Sequence, residues 1–177
     1  MYQKTSYLFS TLMLLSSASL AAEPAGAPEN TGNYTFPDCS SIRAEDRFTD
    51  HKNGTVTDNC TKLIWLQNAN CFGGQKWAQA NNLEKLMNNK KSCLPSGTSA
   101  QDWRLPTVCE WLSMMPLSFS YQHLLFSNLQ TRNSKYWSST KNAKLTDLAW
   151  YVNFHNGSVH AYVKRKAYYV WPVRRSQ

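Results

Sequence analysis

Asp102-Trp103-Arg104-Leu105-Pro106-Thr107-Val108-Cys109-Glu110-Trp111 is an extended segment that stops at a proline and turns directly into a helix. Thr107 followed three residues later by Glu110 spells a capping box, in which each side chain satisfies a backbone N–H orphaned at the helix start. Pro106, just outside the cap, pushes Leu105 towards an extended conformation. Val108, Trp111, Leu112 and Met115 then form an apolar stripe at helical spacing, which Pro116 ends. Tryptophans flank the turn on both sides, so a large buried area depends on its geometry. Asp102, Arg104, Cys109 and Glu110 crowd together like an active site, yet the cap and the stripe account for most of them. Asp102, Trp103, Arg104, Pro106, Thr107 and Glu110 are therefore expected to be structural. The planar guanidinium of Arg104 would tie the turn to Asp102, Glu110 or backbone carbonyls.

Working outward, the chain has 177 residues, enough for one domain of ordinary size. Its 42% hydrophobic residues can build a core, and 17% charge is low for a disordered chain. Residues 1–22 read as a signal peptide, with Lys4 as a positive n-region, an apolar stretch from Tyr7 to Leu15 and a small-x-small site at Ser19-Leu20-Ala21. Residues 23–38 read as a flexible leader rich in proline and glycine, and residues 39–177 as a single domain. The protein is thus expected to be exported, and to be periplasmic, cell-surface or secreted, with no membrane span after signal cleavage.

Export permits disulfides among Cys39, Cys60, Cys71, Cys93 and Cys109. The odd count leaves one thiol over, and the spacings alone leave every pairing open.

Phe48 and its neighbours, Thr55 to Thr57, and Lys62 to Leu66 read as short strands, with Asn53-Gly54 as the turn that joins the first two. Gln75 to about Asn88 reads as one helix burying Trp77, Ala80, Leu83 and Met87. Leu117 to Asn133 reads as a long loop pinned by Phe119, Leu124, Leu125 and Phe126. Tyr136 to Thr140 is a strand, and Leu148 to Val163 is the clearest hairpin. A two-residue turn at Asn156-Gly157 would set Phe154 opposite Val159, Val152 opposite Ala161, and Trp150 opposite Val163. Tyr168 to Arg174 reads as one terminal strand, with Pro172 at an edge or bulge. Two helices and an antiparallel meander make an α+β domain.

The formal charge is +8, and its excess sits late in the chain. From Lys141 onward seven cations stand against Asp147, a net of +6. A concentrated positive field favours polyanions such as acidic glycans, lipopolysaccharide phosphates or nucleic acid. The outer hairpin face and its adjoining turn collect Tyr151, His160, Tyr162, Lys164, Arg165 and Lys166. Aromatic rings can stack on sugar faces, and the cations can pair with sulfate, carboxylate or phosphate. GxSxG, HExxH and P-loop patterns are absent, and the histidines lack metal-ligand spacing. No cofactor, metal or catalytic group is expected.

Several ordered motifs resemble one family. They are Arg47-Phe48-Thr49-Asp50, Asn53-Gly54-Thr55-Val56-Thr57-Asp58-Asn59, Leu63-Ile64-Trp65 and Asn68-Ala69-Asn70-Cys71. Asp102-Trp103-Arg104-Leu105-Pro106, Tyr136-Trp137-Ser138-Ser139, Ala149 to Phe154 and Tyr169 to Arg174 follow. From residue 47 onward the chain resembles the Lcl C-terminal domain family, named for the end of a collagen-like adhesin. The resemblance implies a C-type-lectin-like fold, with two helices packed on a mostly antiparallel twisted sheet. It implies a Cys71–Cys93 disulfide, a second between Cys39 and Cys60, and Cys109 as the odd thiol. It also implies an adhesin-like binding module for sulfated or acidic glycans. A structural subunit meeting an envelope or surface protein partner is the alternative, and an enzyme ranks last.

Overall fold

The computed structural model describes residues 37–39, 41–115, 125–132 and 134–176. The signal segment, most of the leader, Pro116, Phe119, His123 and Leu124 lie outside them.

The first sheet grows from a hairpin. β1 (Phe48–Asp50) pairs antiparallel with β2 (Thr55–Asp58), and β2 pairs with β3 (Leu63–Leu66). All four residues of β3 are buried, as its unbroken apolar run requires. The β1–β2 turn places its positive φ angles on Lys52 (57°) and Gly54 (87°) rather than on Asn53. Asn53 instead accepts hydrogen bonds from the Thr55 backbone and hydroxyl through Oδ1, at 3.1 and 2.6 Å.

The single first helix expected between Gln75 and Asn88 is three elements. Gln75 belongs to β4 (Gly74–Lys76), followed by α1 (Trp77–Ala80) and α2 (Leu83–Asn89). Asn81 and Asn82 break the run because asparagine side chains compete for backbone groups. Asn82 Oδ1 accepts from the Lys85 N–H and starts α2 as its cap. The apolar spacing still holds across the break: Trp77, Ala80, Leu83 and Met87 are all buried. α3 (Val108–Met114) forms where the capping box placed it.

The second sheet is built late in the chain. β5 (Lys135–Lys141), β6 (Leu148–Asn153), β7 (Val159–Val163) and β8 (Ala167–Tyr169) combine with β4 in the order β4-β8-β5-β6-β7. Its pairings are antiparallel except for a short parallel contact of β5 with β8. β9 (Val173–Arg175) leaves this sheet and pairs with β3 in the first one. The terminal strand read from Tyr168 to Arg174 is therefore two strands in two sheets. The crossing is made at Val170-Trp171-Pro172, where Pro172 has no N–H for a ladder and its carbonyl accepts from Leu66. The architecture is α+β with two sheets rather than one.

The β6–β7 register also differs from a two-residue turn. Val152 faces Val159, Trp150 faces Ala161 and Leu148 faces Val163. Asn153 N–H donates to Ser158 C=O and Gly157 N–H to Asn153 C=O, each near 2.9 Å, so residues 154–158 form the connection. Phe154 is thereby released from the ladder and buried in the core.

An aromatic cluster joins the two sheets. Trp65 of β3 lies 5.3 Å from Trp111 of α3 and 5.1 Å from Trp171 in the crossing. Trp111 in turn lies 5.5 Å from Tyr136 of β5. Phe126 adds a T-shaped contact to Trp171 at 4.9 Å and one to Phe48 at 5.7 Å, so the long loop is pinned as expected at this residue. Disulfides link Cys39 to Cys60 and Cys71 to Cys93, with Cα separations of 5.6 and 5.8 Å. Cys109 is the free, buried cysteine; burial pushes its thiol up, and the neighbouring Glu110 charge adds to that.

Candidate functional site: an aromatic and cationic sheet face

The outward face of the five-stranded sheet follows from its register. Paired residues in neighbouring strands share a face, so Trp137, Tyr151 and His160 form one row, Ala149 and Tyr162 another, and Lys135 and Asn153 a third. Tyr168 arrives from β8 and becomes the hub. Its ring lies 4.5 Å from Trp137, 4.9 Å from Tyr151 and 6.2 Å from Tyr162. His160 sits 5.9 Å from Tyr151 at the edge. The amine of Lys135 stands 5.4 Å above the Tyr151 ring and 5.5 Å above Tyr168, within the range of cation–π attraction.

The electrostatics agree with this packing. Burial, reinforced by the Tyr151 and Tyr162 hydroxyls, pushes Tyr168 up to about 12. Burial raises Tyr151 too, with Tyr162 contributing. The ring faces are thus largely spent on one another. Tyr151 is only 7% exposed, so of the expected ligand-contacting residues it is a support beneath the surface rather than part of it. The reason is non-local: Tyr168 returns from β8 and covers it. Tyr162 is 44% exposed, and His160 is exposed as the hairpin pattern implied.

The basic turn divides in the same way. Lys164 is committed: its Nζ lies 4.7 Å over the Trp77 ring and donates to the Thr146 carbonyl, while its backbone C=O accepts from Trp77 N–H at 3.0 Å. Arg165 and Lys166 are exposed beside it. Among the described residues, no ion pair engages Lys135, Arg165 or Lys166 with a carboxylate. Lys135 and Tyr168 were missed by sequence reasoning. Period-two alternation puts Lys135 on the Trp137 face, but only the β5–β8 pairing brings Tyr168 to it.

The opening turn is structural in the geometry as well. Glu110 Oε2 accepts from Thr107 N–H at 2.8 Å, and Thr107 Oγ1 accepts from Glu110 N–H at 3.2 Å. Arg104 clamps both Glu110 oxygens at 2.6 and 2.7 Å and donates to the Leu105 carbonyl. Its own backbone pairs with Val173 in both directions at 2.9 Å, fastening α3 to β9. Burial alone would raise the Glu110 carboxyl, but hydrogen bonds from Arg104 and Thr107 hold it below its ordinary value. Asp102 does not join this clamp; it accepts from Ser99 N–H instead.

Among the grooves of the described surface, two are larger than the one along α1 and α2. One of about 450 Å³ is lined by Lys62, Arg175 and Glu110, and one of about 480 Å³ by Trp77, Asn82, Glu84 and Trp103. The first mixes both charges and the second rests on tryptophans that are themselves buried. Among the described residues, no three His, Cys, Asp or Glu side chains come together as a metal site.

Residues 54–174 match the model of the Lcl C-terminal domain. The chain belongs to the Lcl C-terminal domain family. No curated protein matches it. The matched stretch holds both sheets' main strands, α3 with its Arg104–Glu110 clamp, and the aromatic face. The Cys39–Cys60 disulfide reaches from Cys60 inside this Lcl domain to Cys39 before it. No described helix is long and apolar enough to cross a membrane.

Proposed function

We propose that this Lcl C-terminal domain is an exported, non-catalytic binding module for acidic or sulfated glycans. The observation that carries the reading is the outer sheet face, where Tyr162 packs on Tyr168 and Lys135 stands over it, with Arg165 and Lys166 exposed on the turn that joins β7 to β8. A pyranose ring presents an apolar face suited to an aromatic edge, and its sulfate or carboxylate groups suit cations that no described carboxylate pairs. The pre-packed rings beneath keep Tyr162 and Lys135 in place before a ligand arrives, which lowers the ordering cost of binding. Two disulfides suit an oxidising compartment. The Asp, Arg and Glu groups of the opening turn are consumed in capping and clamping, which favours a binding role over chemistry.

Heparin chromatography tests this. The protein is expected to be retained and to elute earlier as salt rises, because exposed cations are screened. Arg165→Ala with Lys166→Ala should weaken binding about five- to thirtyfold at low salt, at about 0.5–1 kcal/mol per lost contact. Lys164 is a poor probe, since its removal also strips Trp77 and Thr146 of a partner. Heparin retention unchanged in the Arg165 and Lys166 variant refutes the assigned face.

A further inference from the structure

The β5–β6 loop and the β7–β8 turn meet at one end of the five-stranded sheet. Lys164 N–H donates to the Asp147 carbonyl at 2.9 Å, and its Nζ donates to the Thr146 carbonyl. The β5–β6 loop is shaped from within: Asn142 Oδ1 accepts from the backbone of Lys144 at 3.0 Å and of Leu145 at 2.8 Å, and Leu148 N–H closes onto Leu145 C=O. This turn holds Leu145 outward and 55% exposed. Among the described residues, Leu145 and Tyr162 are the exposed large hydrophobics, and the Lys164 bonds draw their two segments to the same end of the sheet.

One exposed leucine is ordinary on a soluble surface. Here it stands on an ordered turn among exposed cations: Lys141 and Lys144 on its own loop, Arg165 and Lys166 on the next. Asp147, exposed on the same loop, is the acid among them, so four cations stand against one carboxylate. An apolar tip on a loop and turn with an excess of positive charge matches an anionic bilayer, whose headgroups take the cations while the boundary layer takes the leucine. A groove-presenting protein would be matched by a larger apolar area than one leucine and one tyrosine supply.

We propose that this end of the sheet docks on an anionic phospholipid surface, with Leu145 entering the headgroup region and Tyr162 at its boundary. The inference goes beyond glycan binding and shares Tyr162, Arg165 and Lys166 with it; Leu145, Lys141 and Lys144 separate the two. Co-sedimentation with vesicles of phosphatidylglycerol mixed with phosphatidylcholine, against pure phosphatidylcholine, is the test. The protein is expected to pellet with the anionic vesicles and not with the zwitterionic ones. Leu145→Ser should weaken that binding about tenfold, and Lys141→Ala or Lys144→Ala about fivefold each, with heparin retention unchanged by Leu145→Ser. Because Leu145 is exposed, an unaltered melting temperature shows that the serine variant folds. A Leu145→Trp variant should keep binding and shift its added emission to the blue on anionic vesicles. Equal pelleting with both vesicle types, wild-type binding by Leu145→Ser, or an unshifted tryptophan overturns the proposal. Anionic-vesicle binding that salt abolishes and Leu145→Ser leaves intact also overturns it, since that is a polyanion contact without insertion.

Discussion

Arg47→Ala should be among the most damaging single changes in this domain. Arg47 Nε and Nη2 reach the two oxygens of Asp58 at 2.5 and 2.8 Å, and Nη2 also donates to the Ser113 carbonyl at 3.1 Å. The side chains are 7% and 1% exposed, so the pair is buried. It ties the edge of the first sheet to the C-terminal end of α3, the helix that carries Trp111 into the core. Asp58 also accepts from Cys60 N–H at 2.9 Å, which shapes the turn into β3. Alanine at 47 would strand a buried carboxylate and an α3 carbonyl together. Breaking one side of a buried pair costs about 3–5 kcal/mol. For a domain of this size that corresponds to a fall in melting temperature of about 10–20 °C. Replacing both partners, Arg47→Met with Asp58→Leu, removes both desolvation costs and should recover most of the loss. A deficit of about 1 kcal/mol should remain, because the Cys60 backbone donor then lacks its acceptor. Urea unfolding followed by tryptophan fluorescence, with the disulfides intact, measures all three proteins. Arg47→Ala within 1 kcal/mol of wild type, or a double variant as unstable as the single one, refutes the reasoning.

Two further outcomes concern the opening turn. Arg104→Lys should cost about 1–2 kcal/mol, because an ammonium cannot hold both Glu110 oxygens and the Leu105 carbonyl in one plane; a variant as stable as wild type in the same urea assay would remove the clamp's structural role. Glu110 has a folded-state pKa below its ordinary 4.5, so its contribution is present above that value and is lost as pH falls through the folded pKa. The stability gap between wild type and Glu110→Gln should therefore be full at neutral pH and narrow below about pH 4.5, and a gap that stays constant down to pH 3 contradicts it.

Local features of this chain were legible because their physics is local. The Thr107–Glu110 box needs only a spacing of three residues and forms as written. The apolar run Leu63–Leu66 becomes a fully buried strand, and the stripe Trp77, Ala80, Leu83 and Met87 is buried even though Asn81 and Asn82 break its helix. What misled the reading was competition between near neighbours. Asparagine side chains divided one helix into two, and Pro172 divided one terminal strand between two sheets. The hairpin closes through a longer connection than the two-residue turn expected, with Val152 rather than Phe154 opposite Val159, while Phe154 still reaches the core.

The candidate face was half legible for the same reason. Composition and hairpin alternation placed His160, Tyr162, Arg165 and Lys166 at the surface, since each depends on its own strand or turn. Tyr151 and Lys164 share that alternation, yet one lies under Tyr168 and the other over Trp77. Alternation along β5 puts Lys135 on the Trp137 face, but its place over Tyr168 depends on β8, which the sequence did not set beside it. The sequence by itself determined the family, the α+β class, the capped turn and the late concentration of positive charge. Only the tertiary structure decided which rings and cations are free to meet a ligand. Exposure is set by what a distant strand lays across a residue, and spacing along the chain does not encode that.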